Sequence, residues 1–278
     1  MTKHKIEWLN RPGTKGESWN PITGCTPISE GCANCYARRM AKRLAGRCGY
    51  PEAPHEFDVT LHPDRLDKPL HWRKPRMVFI CSMSDFFHPA IPFEFQLAIL
   101  RIIGQCPQHT FVILTKRTGQ LEMWEYACGW HPYPNLWLGV SVENQARADE
   151  RIPILLQIPA AVRFVSVEPM LGRVDLTMIP SGNEEYPLLN ALSGLRRRPV
   201  IGTYCSFDED AYFAGETPGL DQVICGFETG TGARPTYVGH ALYLLAQCRA
   251  ANVPFFWKRG GPGQEIPSSL IVREWSGV

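Results

Sequence analysis

The sequence predicts an α/β fold in which parallel strands and helices alternate to form a partial (β/α) barrel of six or seven strands. Three observations lead to this prediction: short apolar runs recur along the chain, most of them end in polar residues, and helical patterns lie between them. Runs that are apolar throughout, instead of alternating, are typical of parallel strands buried on both faces. The length of 278 residues suits one such domain over residues 1–278.

The apolar runs give the expected positions of the strands. A first strand is expected near Trp19–Thr23. Six further strands are expected at Met77–Cys81, Phe111–Leu114, Leu136–Val140, Val162–Val167, Gln222–Cys225 and Val253–Trp257. Strands that alternate with helices in this way predict a parallel sheet.

Helical periodicity appears at residues 93–104 and 238–251, and a shorter helix is expected directly after Cys35. Within this short helix Tyr36, Met40 and Leu44 share one face, and basic residues occupy the others.

Residues 179–220 interrupt the alternation of strands and helices. An insert of this length is typical of a lid, a binding segment or a disordered loop. The spacing of Leu188, Leu189, Leu192 and Leu195 predicts a short helix within it.

The composition predicts a cytoplasmic protein. The N-terminal residues lack the apolar core of a secretory signal, and no stretch approaches about eighteen apolar residues, so no membrane partner is expected. The net charge of +2 indicates no class of partner. In a reducing compartment, clustered cysteines more often bind metal or perform chemistry than form disulfides.

Three of the ten cysteines lie in one loop, residues 24–36, with the spacing C-x6-C-x2-C. Thiolates from Cys25, Cys32 and Cys35 can hold three irons of a [4Fe–4S] cluster, and the fourth iron is then open to bind and react with a ligand. The alternative is a structural zinc site completed by Cys48 or by a histidine such as His55.

Polar residues follow the predicted strands closely. In α/β folds with parallel strands, the active site lies at the carboxyl ends of the strands. We therefore expect one pocket, next to the cysteine loop, lined by Ser82, Asp85, Thr115, Lys116, Ser141, Glu143, Asn144, Glu168, Glu228 and Lys258. The alternative is that these residues are the ordinary polar ends of buried strands.

Several motifs along the chain match a known pattern. They are Trp19–Cys25, Gly31–Ala37, Thr60–Leu66, Ser82–Asp85, Leu114–Arg117, Trp137–Asn144 and Glu168–Gly172. In these motifs the sequence resembles, nearly end to end, a phage- and prophage-associated protein family with a three-cysteine motif, which is similar to radical S-adenosylmethionine enzymes.

The resemblance implies a radical S-adenosylmethionine-like partial barrel, a [4Fe–4S] cluster on the three cysteines and S-adenosylmethionine on the open iron. An electron donor would drive reductive cleavage of the cosubstrate to a deoxyadenosyl radical, which abstracts hydrogen from a substrate. If the protein is phage-encoded, the expected location is the cytoplasm of the host cell. Two features depart from the usual patterns: the first cysteine gap is six residues where radical enzymes commonly have three, and Cys225–Glu228 lacks one of the family's glycines.

The resemblance also implies roles for the polar strand ends. The set expected to bind the cosubstrate is Ser82, Ser84, Asp85, Ser141, Glu143, Asn144, Glu168 and Glu228, with the first three near its methionine amino group. The alternatives are internal salt bridges of the glutamates with Lys116, Arg117 or Lys258, and a strand cap for Ser84 or Asp85. The cations expected to bind an anionic substrate, such as a nucleotide or a nucleic-acid backbone, are Lys116, Arg117 and Lys258. No catalytic residue is predicted.

Three functions are consistent with these patterns. The leading hypothesis is a radical S-adenosylmethionine enzyme that acts on a nucleotide or a nucleic acid. The second is a zinc-stabilised nucleic-acid-binding module without catalysis, which would lose its fold together with its metal. The third is an iron–sulfur protein whose cluster is structural or senses redox state.

Overall fold

The computed structural model describes residues 6–128, 133–184, 187–197, 212–213 and 218–277. The chain forms two compact units, Met1–Gly139 and Val140–Val278. The strands are β1 (Lys15–Trp19), β2 (Ile22–Thr23), β3 (Thr60–Leu61), β4 (Arg76–Ile80), β5 (Thr110–Thr115), β6 (Leu136–Ser141), β7 (Val162–Val167), β8 (Ile179–Pro180), β9 (Leu188–Asn190), β10 (Leu195–Arg197), β11 (Tyr212–Phe213), β12 (Gln222–Cys225) and β13 (Phe255–Trp257).

Five α-helices lie in the described part of the chain. They are α1 (Tyr36–Leu44), α2 (Phe93–Gln105), α3 (Thr118–Cys128), α4 (Gln145–Gln157) and α5 (Val238–Ala250). Among the residues that the structure describes, no helix is both long enough and apolar enough to cross a membrane.

The parallel strands alternate with the helices. Hydrogen-bonded strands follow the order β1-β4-β5-β6 in the first unit and β6-β7-β12-β13 in the second. Strand β6 is named in both because the boundary between the units, Gly139 to Val140, falls within it. Met77 pairs with Thr110 in the first unit, and Val223 pairs with Phe255 in the second. The predicted α/β fold with parallel strands is therefore confirmed.

The inner strands are found where the apolar runs predict them. All six residues of β6 are buried, as are Met77–Ile80 of β4, so both faces of these strands are covered. The first strand is an exception, since β1 precedes the expected segment and carries charged residues. Its Glu17 forms an ion pair with Arg76 of the neighbouring β4.

Of the three large apolar residues expected to share one face of helix α1, Leu44 packs against the core, and Tyr36 and Met40 do not. Ala37 and Ala41 are buried in a small core with Tyr50 and Met83. Tyr36 and Met40 instead lie on the exposed surface. Because alanine side chains are short, the helix can lie close to this core while Tyr36 and Met40 face solvent.

The insert at 179–220 contains strands, and the predicted helix is wrong. Strands β8, β9, β10 and β11 form an antiparallel sheet in the order β11-β10-β9-β8. Leu195 pairs with Asn190, and the chain reverses between them at Gly194, whose φ of +76° favours glycine. Residues 185–186, 198–211 and 214–217 of the insert lie outside the described residues.

A buried ion pair attaches helix α4 to the end of β6. The carboxylate of Glu143 accepts a hydrogen bond from Arg151 Nη1 at 2.9 Å, and the same nitrogen donates to the Ser141 carbonyl at 2.7 Å. The side chains of Glu143 and Arg151 are 0% and 1% exposed. Asn144 begins the helix, since its side-chain oxygen accepts from the Arg147 amide at 3.1 Å.

Replacement of Arg151 would remove the cation that faces the fully buried carboxylate of Glu143. We expect Arg151→Met to lower the free energy of unfolding by about 3–5 kcal/mol. Arg147→Ala is the matched control, because Arg147 pairs with the half-exposed Glu150 on the same helix and its loss should cost about 1 kcal/mol or less. Urea titrations followed by circular dichroism measure both. Equal, small decreases in the free energy of unfolding of the two variants would contradict a large contribution of the buried ion pair to stability.

Candidate functional site

The three cysteines lie half-buried in the first unit, in a loop whose start is hydrogen-bonded to two other segments of the chain. The Gly24 amide donates to the Met83 carbonyl at 3.0 Å, just after β4, and the Cys25 amide donates to the Phe57 carbonyl at 3.2 Å. At the other end the Cys35 amide donates to the Cys32 carbonyl at 3.3 Å, and helix α1 begins at the next residue. The loop is thus held in place by backbone hydrogen bonds.

Gly24 permits this arrangement. Its φ is +83°, and a Cβ atom at this position would lie 2.1 Å from the carbonyl oxygen of Asp58. Both the left-handed backbone and the close approach of another chain segment therefore require glycine.

The predicted serines after β4 hold the cysteine loop. Ser84 Oγ donates to the Gly24 carbonyl at 2.6 Å, and Ser82 Oγ donates to Asn20 Oδ1 at 3.2 Å. Asn20 Oδ1 also accepts from the Met83 amide at 3.1 Å. The two serines therefore join the segment after β4 to the segment that leads into the cysteines. Their contact with a cosubstrate stays a prediction.

Asp85 is 7% exposed and accepts hydrogen bonds from two elements. Its Oδ1 accepts from the Phe87 amide at 3.0 Å and from Thr115 Oγ1 at 2.7 Å, and its Oδ2 accepts from the Lys116 amide at 3.0 Å. Asp85 thus has the capping role that the sequence analysis gave as an alternative. It also links the segment after β4 to the end of β5.

Two of the predicted cations face the cysteine sulfurs. Lys116 Nζ lies 3.9 Å from Cys32 Sγ and 3.4 Å from Ser29 Oγ. Arg117 Nη2 lies 3.9 Å from Cys25 Sγ and donates to the carbonyl and hydroxyl oxygens of Thr26 at 2.9 Å. The cations are thereby positioned to offset negative charge on sulfur. Their binding to a substrate stays a prediction.

His88 supports this arrangement, although it was not predicted as a site residue. Its Nδ1 accepts from the Ala90 amide at 3.1 Å, so Nε2 carries the proton and donates to Thr26 Oγ1 at 2.9 Å. Burial and the charge of Arg117 lower the pKa of His88, which keeps the ring neutral near neutral pH. No periodicity marks this histidine in the sequence.

The thiols of the loop have different acidities. Burial raises the pKa of Cys25 to about 11, and the negative charge of Asp85 adds to the rise. Burial also acts to raise the pKa of Cys32, but the Lys116 ammonium and hydrogen bonds to Ile28 and Ser29 outweigh it, so this pKa lies below its usual value. Cys32 is thus the more readily ionised of the two.

In the second unit the predicted glutamates form internal ion pairs. Glu168 Oε1 lies 2.7 Å from Lys258 Nζ, a partner that the sequence suggested. The carboxylate of Glu228 receives Arg234 through Nη2 at 2.6 Å and Nε at 3.0 Å, as well as its amide at 2.8 Å. Glu143 is held by Arg151. The salt-bridge alternative therefore describes all three, and their contact with a cosubstrate stays a prediction.

Gly226 lies against the Glu168–Lys258 pair. A Cβ atom at Gly226 would be 3.3 Å from the Cβ of Lys258 and 3.4 Å from the carboxylate carbon of Glu168. Gly226, the glycine that this chain retains in the Cys225–Glu228 motif, thus leaves space for the ion pair.

Arg151 and Arg234 were not predicted from the sequence as partners of the glutamates. An arginine among the apolar residues of α4 does, however, signal a buried ion pair.

The predicted residues divide between the two units. The first unit holds the cysteines with Ser82, Ser84, Asp85, Thr115, Lys116 and Arg117, and the second holds Ser141, Glu143, Asn144, Glu168, Glu228 and Lys258. The single pocket expected from the strand ends stays a prediction.

The donor chemistry of the loop fits an iron–sulfur cluster, since thiolates are its usual ligands. Within the described ranges, no group of three or more His, Cys, Asp or Glu side chains is placed to hold a metal ion. Of the candidates for a fourth zinc ligand, Cys48 is exposed, and His55 Nδ1 lies 2.8 Å from Asp58 Oδ2. The cluster and the zinc alternative both stay predictions.

Fold and site together define an α/β protein with parallel strands and a loop of three half-buried cysteines flanked by cations. A family model matches residues 3–270, and the chain belongs to this family, which is described as "Protein of unknown function (DUF5131)". No curated protein matches the chain, and no solved structure matches it.

The close contact at Gly24 gives a first prediction for the site. Gly13→Ala is the control, because Gly13 has a φ of +78° but no atom within 4 Å of a Cβ there. The control should lose about 1–2 kcal/mol of unfolding free energy for the left-handed backbone alone. Gly24→Ala should lose roughly 2 kcal/mol more, because the clash with Asp58 must displace the loop. Equal losses in urea titrations would contradict the close approach.

The difference in thiol acidity gives a second prediction. In metal-free protein at about pH 8, iodoacetamide should modify Cys32 faster than Cys25, because the thiolate is the reactive form. Lys116→Met removes a cause of the low pKa, so it should slow modification of Cys32 at this pH. Peptide mapping by mass spectrometry measures both rates, and the rate at Cys25 is the internal control. Faster modification of Cys25 would contradict the assigned acidities.

Proposed function

We propose that the protein is a radical S-adenosylmethionine enzyme with a radical S-adenosylmethionine-like partial barrel. The observation that carries the proposal is the loop of Cys25, Cys32 and Cys35, held at the ends of β4 and β5 with two cations against its sulfurs. A structural metal site is normally closed by four protein ligands, whereas three cysteines leave one position of the metal group open to a cosubstrate.

The three thiolates would hold a [4Fe–4S] cluster. When bound, the cluster would pass one electron from an external donor to S-adenosylmethionine, whose C5′–S bond breaks to give methionine and a deoxyadenosyl radical that abstracts hydrogen from the substrate. Lys116 and Arg117 would offset the negative charge of the cysteine-ligated cluster through their contacts with Cys32 and Cys25. Gly24 and Asp85 would keep the loop and these cations in register.

The other predicted residues contribute differently to this proposal. Glu143 is fully buried against Arg151, so it would support the end of β6 without touching the cosubstrate. Glu168 and Lys258 are 21% and 15% exposed, so both remain accessible to a ligand. We propose a nucleotide or a nucleic acid as the substrate, because its phosphates would suit the cations and a base would suit the exposed ring of Tyr36 beside the loop.

Anaerobic reconstitution with iron and sulfide, followed by reduction, tests the function. We expect a [4Fe–4S]⁺ electron paramagnetic resonance signal that changes when S-adenosylmethionine is added, because the cosubstrate binds the open iron. Cys32→Ala should lose the signal and keep its fold by circular dichroism. Cys48→Ala is the matched control and should keep the signal, since this exposed cysteine lies outside the loop.

The other outcomes separate the remaining hypotheses. A cluster signal that S-adenosylmethionine leaves unchanged would contradict the enzyme and indicate a structural or redox-sensing cluster. A protein that takes up no iron, contains one zinc and unfolds on Cys32→Ala would indicate the zinc-stabilised binding module.

A further inference from the structure

We propose that the exposed face of helix α1 binds single-stranded nucleic acid and leads it to the cysteine loop. This α1 face consists of Tyr36, Arg39, Met40, Lys42, Arg43 and the following Arg47, all exposed. Binding as such requires no cofactor. The consequence that the bound strand is the substrate rests on the proposed function.

The charge of the face is the first argument. Residues 36–51 contain five Lys and Arg and no Asp or Glu. Arg38 is directed inwards, with its guanidinium 5.5 Å from the centre of the Phe57 ring, which leaves the other four on the surface. The carboxylate of Glu52 lies beside Gly46 and offsets part of this charge. A row of cations of this kind suits a chain of phosphates.

The helix itself explains only part of the charge. Lys42 and Arg43 lie in the last turn of α1, where cations are favoured by the helix dipole. Arg47, beyond the end of the helix, donates from Nη2 to the Arg43 carbonyl at 2.8 Å, so it also serves the helix end. Arg39 lies in the middle of the helix, so the dipole does not account for it. The positive charge is therefore more extensive than the stability of a nine-residue helix calls for.

An aromatic residue on the same face indicates a single strand. The side chain of Tyr36 is 52% exposed, and its hydroxyl donates to the carbonyl of Ser82, which fixes the ring. Met40, one turn further along, is 40% exposed. A fixed, exposed ring offers a surface on which an unpaired base can stack, whereas the bases of a duplex are already stacked on each other.

The position of the face links binding to chemistry. Tyr36 follows Cys35 directly in the chain, and its hydroxyl contacts the segment that holds the cysteine loop through Ser84 and Gly24. A base stacked on this ring would lie next to the loop. The structure thus points to an unpaired or extruded nucleotide as the reacting group.

Fluorescence anisotropy of the metal-free protein with a labelled single-stranded oligonucleotide of mixed sequence tests the proposal. We expect binding that weakens as salt rises, and stronger binding to the single strand than to the duplex of the same sequence. Lys42→Gln/Arg43→Gln should reduce the slope of log K against log salt by about 0.7 for each cation removed. Arg73→Gln/Lys74→Gln is the matched control, because this exposed pair precedes β4 at the amino end of the strand, and it should change nothing.

Tyr36 separates stacking from simple attraction of charge. Tyr36→Leu should weaken binding of the single strand roughly tenfold, and Tyr36→Phe, which keeps the ring, should retain most of the affinity. Circular dichroism checks that each variant is folded. Absence of binding, equal effects of the two double variants, or an unchanged affinity of Tyr36→Leu would each overturn the proposal.

These results are independent of the electron paramagnetic resonance test. If the protein binds the oligonucleotide but takes up no cluster, the proposal for the α1 face stands and the proposed enzyme is refuted. A cluster that responds to S-adenosylmethionine, without binding of the oligonucleotide, would retain the enzyme and refute this surface.

Discussion

The buried carboxylate of Asp85 is the interaction on which the geometry around the cysteine loop depends. It accepts hydrogen bonds from the Phe87 amide, the Thr115 hydroxyl and the Lys116 amide, so it fixes the turn after β4 against the end of β5. A buried carboxylate is stable only when such donors surround it, which makes this geometry costly to change. Because the Lys116 backbone is fixed in this way, the side chains of Lys116 and Arg117 extend towards the cysteine sulfurs from the fixed end of β5.

The cations would have the same physical role with or without the proposed cluster. In the metal-free protein, Lys116 favours the thiolate of Cys32 against the cost of burial. With iron and sulfide bound, hydrogen bonds and charge next to sulfur are among the factors that set the reduction potential of a cluster. The position of Lys116 would therefore both favour the Cys32 thiolate that binds iron and adjust the reduction potential of the bound cluster. Arg117, which Thr26 and His88 hold in place, has the corresponding position at Cys25.

Burial explains which parts of the structure the sequence could predict. Strands β4 to β7 were found because both of their faces are covered, which leaves continuous apolar runs. Strand β1 was misplaced because it has one neighbour in the sheet, β4, and carries Lys15 and Glu17, so its pattern is not apolar throughout. The leucines of the insert fit a helical spacing as well as a hairpin, and periodicity does not show that Gly194 reverses the chain. Motif spacing identified the cysteines and the strand-end residues. It did not identify Asn20, Arg151 and Arg234, the respective partners of Ser82, Glu143 and Glu228, because each of these contacts forms only on folding.

The ion pairs of the second unit bear on which ligand groups Glu168 can accept. Its carboxylate is already neutralised by Lys258, at 2.7 Å. An incoming ammonium group would displace the lysine and leave its charge without a partner, at a cost that grows with burial. A hydroxyl group can donate to the carboxylate and accept from the ammonium at once, so the pair can bind it while its charges stay balanced. Under the proposed function, the geometry therefore favours ribose hydroxyls over an amino group as ligands of Glu168.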